Sequence, residues 1–488
     1  MDLTDLGEMD KFERQRKDKL ARVVELGIDP YGGRYEPAEA AEDIKGRFRD
    51  GDEEQLARCA GRIVLLRDIG KLIFITLRDS SGTIQIGLSK KLLSARWELA
   101  KLLEVGDIIG SAGRLGRTKT GEITIWADDL MLLSKCVLPP PEKFHGLADI
   151  DQRYRHRFVD LWANPEVMER FKKRFAIVAT IRSFLEARGF LEVETPMMQT
   201  IAGGAAAKPF VTHHNSLDLD LFLRISPELF LKRLLVGGME RVFEINRNFR
   251  NEGLSRQHNP EFTMLEVYQA YGDYEVMMDL TEELIGLCVE KHCRGSRVAF
   301  GDLTIDFGRP WRRATYAELL KEHSGCEIDD LKAVRARARE LNLEETLMDD
   351  VVVVNEVFEA TVEDHLVSPT FVIDYPAPLC PLTRRKKEDP RYAERFELFI
   401  AGMELANAYT ELNDPVVQEE NFQIQLRGQE DTMATMDKDF ITALKYGMPP
   451  AGGLGIGIDR LVMVLTGALS IRDVVLFPLL KPKSPDRQ

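Results

Sequence analysis

FEINRNFRNEG, residues 243–253, and HNPEFTMLEVYQAY, residues 258–271, form the stretch on which the fold turns. Two strand-like segments, 241–250 and 260–269, are joined by a short polar loop that contains Gly253, which predicts an antiparallel hairpin. Side chains alternate along a strand, so residues two apart share a face. The alternation aligns Asn246, Asn248 and Arg250 on the first strand, and Phe262, Met264, Glu266 and Tyr268 on the second. A strand that serves only the fold rarely buries Glu and Arg on such a face. Read chemically, Arg250 is an anion clamp, Phe262 a stacking platform and Glu266 an acceptor for a cationic group. An ion pair on an exposed face is the alternative that this stretch leaves open.

Two further constellations lie downstream. In RFELFIAGMELANAYTELND, residues 395–414, Glu397, Glu404 and Glu411 recur every seven residues. One continuous strand would turn Glu397 and Glu404 to opposite sides, whereas a tight hairpin at Gly402 brings them to one face. A carboxylate pair beside a nucleoside triphosphate suits Mg²⁺, which takes a few carboxylates together with phosphate oxygens. Asn407, Tyr409 and Glu411 share the next face. In AGGLGIGIDRLVMVL, residues 451–465, four glycines allow close backbone approach, and Arg460 opens an apolar helix. The spacing is neither the dinucleotide fingerprint nor the P-loop, so phosphates need another holder, such as two arginines from separate elements.

Upstream, the texture changes twice. Residues 10–26 predict a charged helix ended by Gly27. From Gly61, five short β segments (GRIVLLRD, KLIFITLRD, GTIQIGL, DIIGSAGRLGR and EITIWADDLMLL) suit a small Greek-key barrel of OB type, with a helical piece near 90–104. Pro139, Pro140 and Pro141 make a stiff break. Beyond it the pattern is α+β. A long helix spans 164–189, capped by Asn164, and the strand GFLEVETP follows. A helix begins at Ser226 as N-cap with Pro227 first, helices dominate 275–365, and strands return at 370–374 and 394–411.

The chain has 488 residues, enough for two to four domains at roughly 100–200 residues each. Apolar residues make up 44% and charged residues 30%, which excludes a mainly disordered, collagen-like or membrane-embedded chain. Six irregularly spaced cysteines fit reduced thiols better than a disulfide framework. The acidic N-terminus lacks the apolar core of a signal peptide, and no long apolar run exists, so a cytoplasmic protein with no membrane contact is expected. Net charge is −14, which taken alone argues against a nucleic-acid binder. Its distribution qualifies that. Residues 1–150 are nearly balanced, with 24 basic and 26 acidic groups, and 61–120 hold a local basic excess.

Together these motifs resemble the class II aminoacyl-tRNA synthetases. The long helix and strand ending in GFLEVETP match the first signature motif, Phe249-Arg250-Asn251-Glu252 in its hairpin the second, and GIGIDR with Arg460 the third. The barrel with FITLRDSSGTIQ resembles the subgroup whose OB-fold reads the anticodon. Within that subgroup, GGAAAKPFVTHHNSLDLDLFLRISPELFLKRL and MELANAYTELNDP are similar to the lysine-specific members. The match runs from about residue 10 to 482. The implied organisation is a helical extension at 1–58, an OB-fold barrel at 59–138, a linker at 139–163 and a catalytic domain at 164–488. That domain is an antiparallel sheet flanked by helices. The implied activity is ATP-dependent formation of lysyl-adenylate and transfer of lysine to tRNA(Lys), with Mg²⁺ as cofactor, by a two-fold homodimer.

The resemblance also implies roles, residue by residue. Arg250 grips the α-phosphate of ATP, and Arg460 positions ATP from the other side. Glu252 and Asn259 contact adenine, Phe262 stacks on it, and His258 touches the γ-phosphate. Glu397 and Glu404 hold Mg²⁺. Gly204, Glu228, Glu266, Tyr268, Asn407, Tyr409 and Glu411 form the lysine pocket. Arg67, Phe74 and Gln85, with Glu122 as a further candidate, read the anticodon. Without the resemblance, Phe74 reads as barrel core. Lys208 and Tyr409 stand where relatives commonly have arginine and phenylalanine. Two rivals follow: an aspartyl- or asparaginyl-specific enzyme of the same fold, and a synthetase-like paralog that modifies a protein. Such paralogs lack the barrel that this chain has.

Overall fold

The computed structural model describes residues 11–52, 54–139, 147–201, 203–204, 207–346, 348–426 and 436–482. Pro140 and Pro141 of the expected break, and the acidic segment 1–10, lie outside the described residues. The chain forms two units, residues 1–152 and 153–488.

In the first unit, β1 (Leu56–Asp68), β2 (Leu72–Arg78), β3 (Thr83–Ser89), β4 (Ile108–Arg117) and β5 (Ile123–Ser134) close into a barrel of order β1-β2-β3-β5-β4. Alternation decides what fills it. Ile73, Ile75 and Leu77 from β2 meet Ile84, Ile86 and Leu88 from β3 inside, while the intervening residues face outward. Short helices at Lys90–Leu93 and Trp97–Leu102 occupy the expected helical piece. The N-terminal helix Lys11–Glu25 joins the same core through Val23, and Arg16 donates to the carbonyls of Val105 and Cys136 at 3.0 Å.

The second unit is built on eight strands: β6 (Leu191–Glu192), β7 (Arg241–Phe249), β8 (Glu261–Ala270), β9 (Arg312–Thr315), β10 (Thr370–Pro376), β11 (Tyr392–Ile400), β12 (Met403–Thr410) and β13 (Ala451–Gly457). Their order is β9-β10-β11-β12-β13-β8-β7-β6, antiparallel except at the two edge pairings. The glycine-rich segment is therefore a central strand, buried between β12 and β8. One sheet face packs Leu265, Val267, Leu398, Ala408 and Ile456 against helices Pro165–Glu186, Tyr274–His292 and Ile458–Thr466. The other face is left for chemistry. Among the described residues, no helix is long and apolar enough to cross a membrane.

Several local expectations need correction. Asn164 sits at the N-cap position, but its amide donates to Asp160 Oδ1 at 2.6 Å and makes no cap. The helix expected from Ser226 and Pro227 starts at Glu228. Ser226 Oγ still accepts from Glu228 N at 3.1 Å, because a serine one residue further back reaches the same orphan donor. Of GFLEVETP, only Leu191 and Glu192 pair as strand. Helices do dominate 275–365, interrupted by a two-stranded ribbon of Arg297–Phe300 and Leu303–Asp306 and by β9 at Arg312–Thr315. Finally, the second unit begins at Arg153, inside the stretch expected as linker. There the guanidinium of the fully buried Arg157 bonds Asp160 and the carbonyls of Arg472 and Leu476.

Candidate functional site

A cavity of about 410 Å³ opens on the free face of the sheet and gathers most of the residues singled out above. Strand β8 and the loop that joins it to β7 supply much of its lining, and the hairpin pairs Asn248 with Phe262 and Glu244 with Glu266. Strand β13 runs alongside, placing Gly453 opposite Tyr268 and Gly455 opposite Glu266. A Cβ on Gly453 would lie 1.9 Å from Glu411 Oε1 and 2.7 Å from the Tyr268 ring, so only glycine leaves room for both. Asn246 and Asn248, in phase with Arg250, do not line this cavity.

At one end stand Arg250, Glu252, His258, Asn259, Phe262 and Arg460. The Arg250 guanidinium lies 5.1 Å from the Phe262 ring centroid, and its backbone N–H donates to Pro260 O at 2.9 Å. Among the described residues, its Nε is buried without a hydrogen-bond partner. Arg460 Nη1 donates to Glu404 O at 2.5 Å, and Nη2 lies 3.0 Å from His258 Nε2. Burial, then the charge of Arg460, holds the His258 imidazole below its ordinary range, so it accepts that bond as a neutral ring. Two cationic groups thus face one hollow from separate elements.

At the other end stand Gly204, Glu228, Glu266, Tyr268, Asn407 and Tyr409. Ser226 Oγ donates to Glu266 Oε1 at 3.0 Å, and Tyr268 OH to Oε2 at 3.2 Å. Burial, reinforced by the charge of Glu228, pushes the Glu266 carboxyl up to about 8 against those bonds. The Tyr409 hydroxyl, absent from a phenylalanine, donates to Glu228 Oε1 at 2.6 Å and fixes that carboxylate. Glu411 does not line the cavity: it is 1% exposed and lies behind the wall.

Behind that wall is a residue that sequence reasoning missed. Lys232 is fully buried, with Nζ 2.7 Å from Glu228 Oε1 and in contact with Glu411 Oε2. Burial alone would strip its proton, but Glu228 and Glu411 outweigh burial and raise its pKa, so it stays charged. The signal was available, because Glu228 and Lys232 stand four apart on one helix face. Asp459 was also missed. Its carboxylate accepts from Arg174 Nη1 at 2.5 Å and from Thr263 N at 2.7 Å, tying the start of the Arg460 helix to the hairpin beside Phe262.

The carboxylate pair sits on the hairpin β11–β12. Its two-residue turn, Ala401 and Gly402, has φ of 55° and 70°, as a type I′ turn requires. The turn alone does not align the pair. Leu398 pairs with Ala406 but Phe399 pairs with Glu404, so Leu405 is an extra, bulged residue. Leu405 and Ala406 both enter the apolar layer, and Glu404 returns to the open face with Asn407 and Tyr409. Glu397 is half-buried, accepting from Tyr375 OH at 2.7 Å and from Arg395. Burial pushes its carboxyl up to about 7; Arg395 opposes that and Glu404 adds to it. Glu363, raised to about 8 by burial and by Glu359, Glu397 and Glu404, marks the same excess of acid. Among the described residues, no cluster of three or more ligating side chains encloses a metal. Of the two carboxylates, Glu404 lines the cavity and Glu397 does not.

On the barrel, Arg67 lies opposite Phe74 across β1–β2. Phe74 is half-buried, faces outward and is not part of the core. Gln85 accepts from Thr124 Oγ1 at 2.8 Å, and Glu122 is exposed at the β4–β5 turn.

Comparison with known proteins gives this geometry a lineage. Residues 149–481 match the family model of class II tRNA synthetases (D, K and N), and residues 57–133 match the OB-fold nucleic acid binding domain. The chain belongs to the class II tRNA synthetases. Within that class it is similar to lysine–tRNA ligases over nearly its whole length. It is 51% identical over 484 residues to that of Syntrophomonas wolfei, covering 98% of each chain. It is 51% identical over 485 residues to that of Carboxydothermus hydrogenoformans, covering 98% of this chain and 99% of the other. With that of Pelotomaculum thermopropionicum it shares 50% over 486 residues, 98% of this chain and 96% of the other.

Proposed function

We propose that this enzyme activates L-lysine with ATP to lysyl-adenylate and transfers the lysine to the 3′ end of tRNA(Lys). One observation carries the reading: a single cavity holds acids at one end and an arginine clamp at the other. An ammonium without a partner in such a site costs several kcal/mol, so Glu228 and Glu266, with Glu411 behind them, select a cationic substrate. Tyr268, Asn407, Tyr409 and Gly204 shape the stem of that pocket. Phe262 stacks on adenine, Glu252 and Asn259 contact its edge, and His258 meets the γ-phosphate.

The substrate carboxylate attacks the α-phosphorus in line, the bond to the bridging β-phosphate oxygen breaks, and pyrophosphate leaves. Arg250 and Arg460 neutralise the charge that develops, so catalysis is positioning and electrostatics, with no protein nucleophile. Mg²⁺ would neutralise phosphate charge, and Glu397 and Glu404 would hold it. Their all-oxygen donor set and mutual repulsion fit a hard cation that completes its shell with phosphate and water. In the second step, the terminal ribose hydroxyl of tRNA attacks the lysyl carbonyl and AMP departs. The exposed Phe175 and Leu191, on the helix and strand of the first signature motif, support a homodimer. A cytoplasmic enzyme follows from its place in translation.

The test is pyrophosphate exchange into ATP with each of the twenty amino acids, followed by charging of tRNA(Lys). Lysine alone should support both. Exchange with aspartate or asparagine but not lysine would overturn the reading, and exchange without charging of any tRNA would favour a protein-modifying paralog.

On the barrel, Phe74 is read as a platform for an unpaired anticodon base, flanked by Arg67 and with Gln85 and Glu122 testing base edges. Base–aromatic stacking contributes about 1–3 kcal/mol. Phe74→Ala should therefore weaken tRNA(Lys) binding roughly five- to 150-fold and spare tRNA-independent exchange. An equal loss in both assays would mean a folding defect instead.

A further inference from the structure

The helix Pro165–Glu186 turns Val167, Phe171, Ile177, Ile181 and Phe184 inward, and Arg174 falls in the middle of that apolar stripe. Packing alone would favour a hydrocarbon there, because a buried ion pair seldom stabilises a fold more than a well-packed apolar side chain does. The guanidinium does something a hydrocarbon cannot. Nη1 donates to Asp459 Oδ1 at 2.5 Å, and Nη2 donates to Thr263 Oγ1 at 3.2 Å. The ladder between β8 and β13 ends at Met264 and Gly457, and just past that end Asp459 Oδ2 accepts from Thr263 N at 2.7 Å. Arg174, Asp459 and Thr263 thus close a buried triangle. Both residues that Arg174 joins are chain neighbours of side chains at the arginine end of the main cavity. Asp459 precedes Arg460, and Thr263 follows Phe262.

We propose that Arg174 is a positioning residue for ATP. It does not line the cavity, and it acts through Asp459 and Thr263 to set the spacing between Arg460, the phosphate contact, and Phe262, the adenine platform. These two contacts stand on separate elements, the helix Ile458–Thr466 and β8, and the fork takes over where the backbone ladder between β8 and β13 stops. A rigid planar guanidinium that makes two bonds at a fixed angle suits that task, whereas a lysine ammonium is a point charge on a flexible stem. The inference rests on this end of the cavity being the ATP site, as proposed above.

The test uses the full-length chain and two conservative variants. Arg174→Lys keeps the charge and loses the fork. Asp459→Asn keeps an acceptor for Thr263 N and weakens the tie to Arg174. Calorimetric titration with ATP is set beside pyrophosphate exchange at varied ATP and at varied lysine. Each variant should raise the Kd and KM for ATP roughly 10- to 100-fold, the scale of a lost charge-assisted bond or of a displacement near 1 Å. The KM for lysine should stay near wild type. The double variant should lose about as much as the worse single one, since both act through one contact. ATP constants at wild-type values in the variants would overturn the proposal, even where activity falls, because fewer folded molecules lower the rate without moving either KM. An equal rise in both KM values would overturn it too, as the effect would not belong to ATP. If Arg174→Lys does not fold, Asp459→Asn decides alone. A wild-type chain that binds no ATP would instead overturn the reading of the cavity, and the positioning role would fall with it.

Discussion

Arg250→Ala should abolish lysine-dependent pyrophosphate exchange, lowering its rate about 10³–10⁵-fold, the range found when an arginine that neutralises a phosphoryl transition state is removed. The stability and association state of the chain should stay close to wild type. Both halves of that expectation follow from the side chain's surroundings. The Arg250 backbone is fixed by its bond to Pro260 O, which alanine retains. The guanidinium stacks near Phe262, and among the described residues its Nε has no hydrogen-bond partner and it takes part in none of the ion pairs that hold the hairpin. Its removal therefore takes little from the fold and a full positive charge from the reacting phosphate. Measured exchange, set beside denaturant unfolding and size-exclusion chromatography, separates the two. Wild-type-like exchange in this variant would contradict the clamp.

Lys232→Met should produce the opposite pattern, a loss of stability together with a loss of lysine affinity. Lys232 is 0% exposed and neutralises Glu228 and Glu411 from behind the pocket. Removing one partner of a buried pair leaves uncompensated charge and costs about 3–5 kcal/mol. The sign with pH is fixed. Lys232 carries a raised pKa in the fold, so its contribution is fully present below the pKa of the unfolded chain and fades only as the medium becomes strongly alkaline. In the variant, the deficit should shrink as pH falls, because a buried carboxyl can then be accommodated as a neutral acid. Unfolding curves at several pH values test this, and a deficit that does not vary with pH would show that packing rather than charge is lost. The kinetic signature is a raised KM for lysine with a smaller change in kcat. Glu411→Gln added to Lys232→Met should recover part of the stability, since it removes the orphaned charge.

Much of this was legible because strand chemistry is periodic. The hairpin 241–270 was readable from alternation, and so was the shared space of Arg250, Phe262, Glu266 and Tyr268. The five barrel strands followed from their glycine punctuation. What escaped depends on contacts between distant segments. Lys232 looks like one more cation on a helix until Glu411, 179 positions away, arrives from β12's end to meet it. Asp459 has meaning only once Arg174 and Thr263 converge on it. Asn164 makes no cap, and its side-chain amide instead donates to Asp160, one turn back.

The bulge at Leu405 ties the length of one strand to its chemistry. Deleting a residue between Glu404 and Asn407 would make that strand a more regular piece of sheet. It would also swing Glu404 into the hydrocarbon layer beside Leu398 and Ala406. The surplus residue acts as a phase shifter, so the strand cannot be shortened by one toward an ideal β-sheet without losing an acid from the site. Insertions and deletions accepted in descendants of this chain should therefore avoid these few positions, even though the irregularity there looks, by shape alone, like a defect awaiting repair.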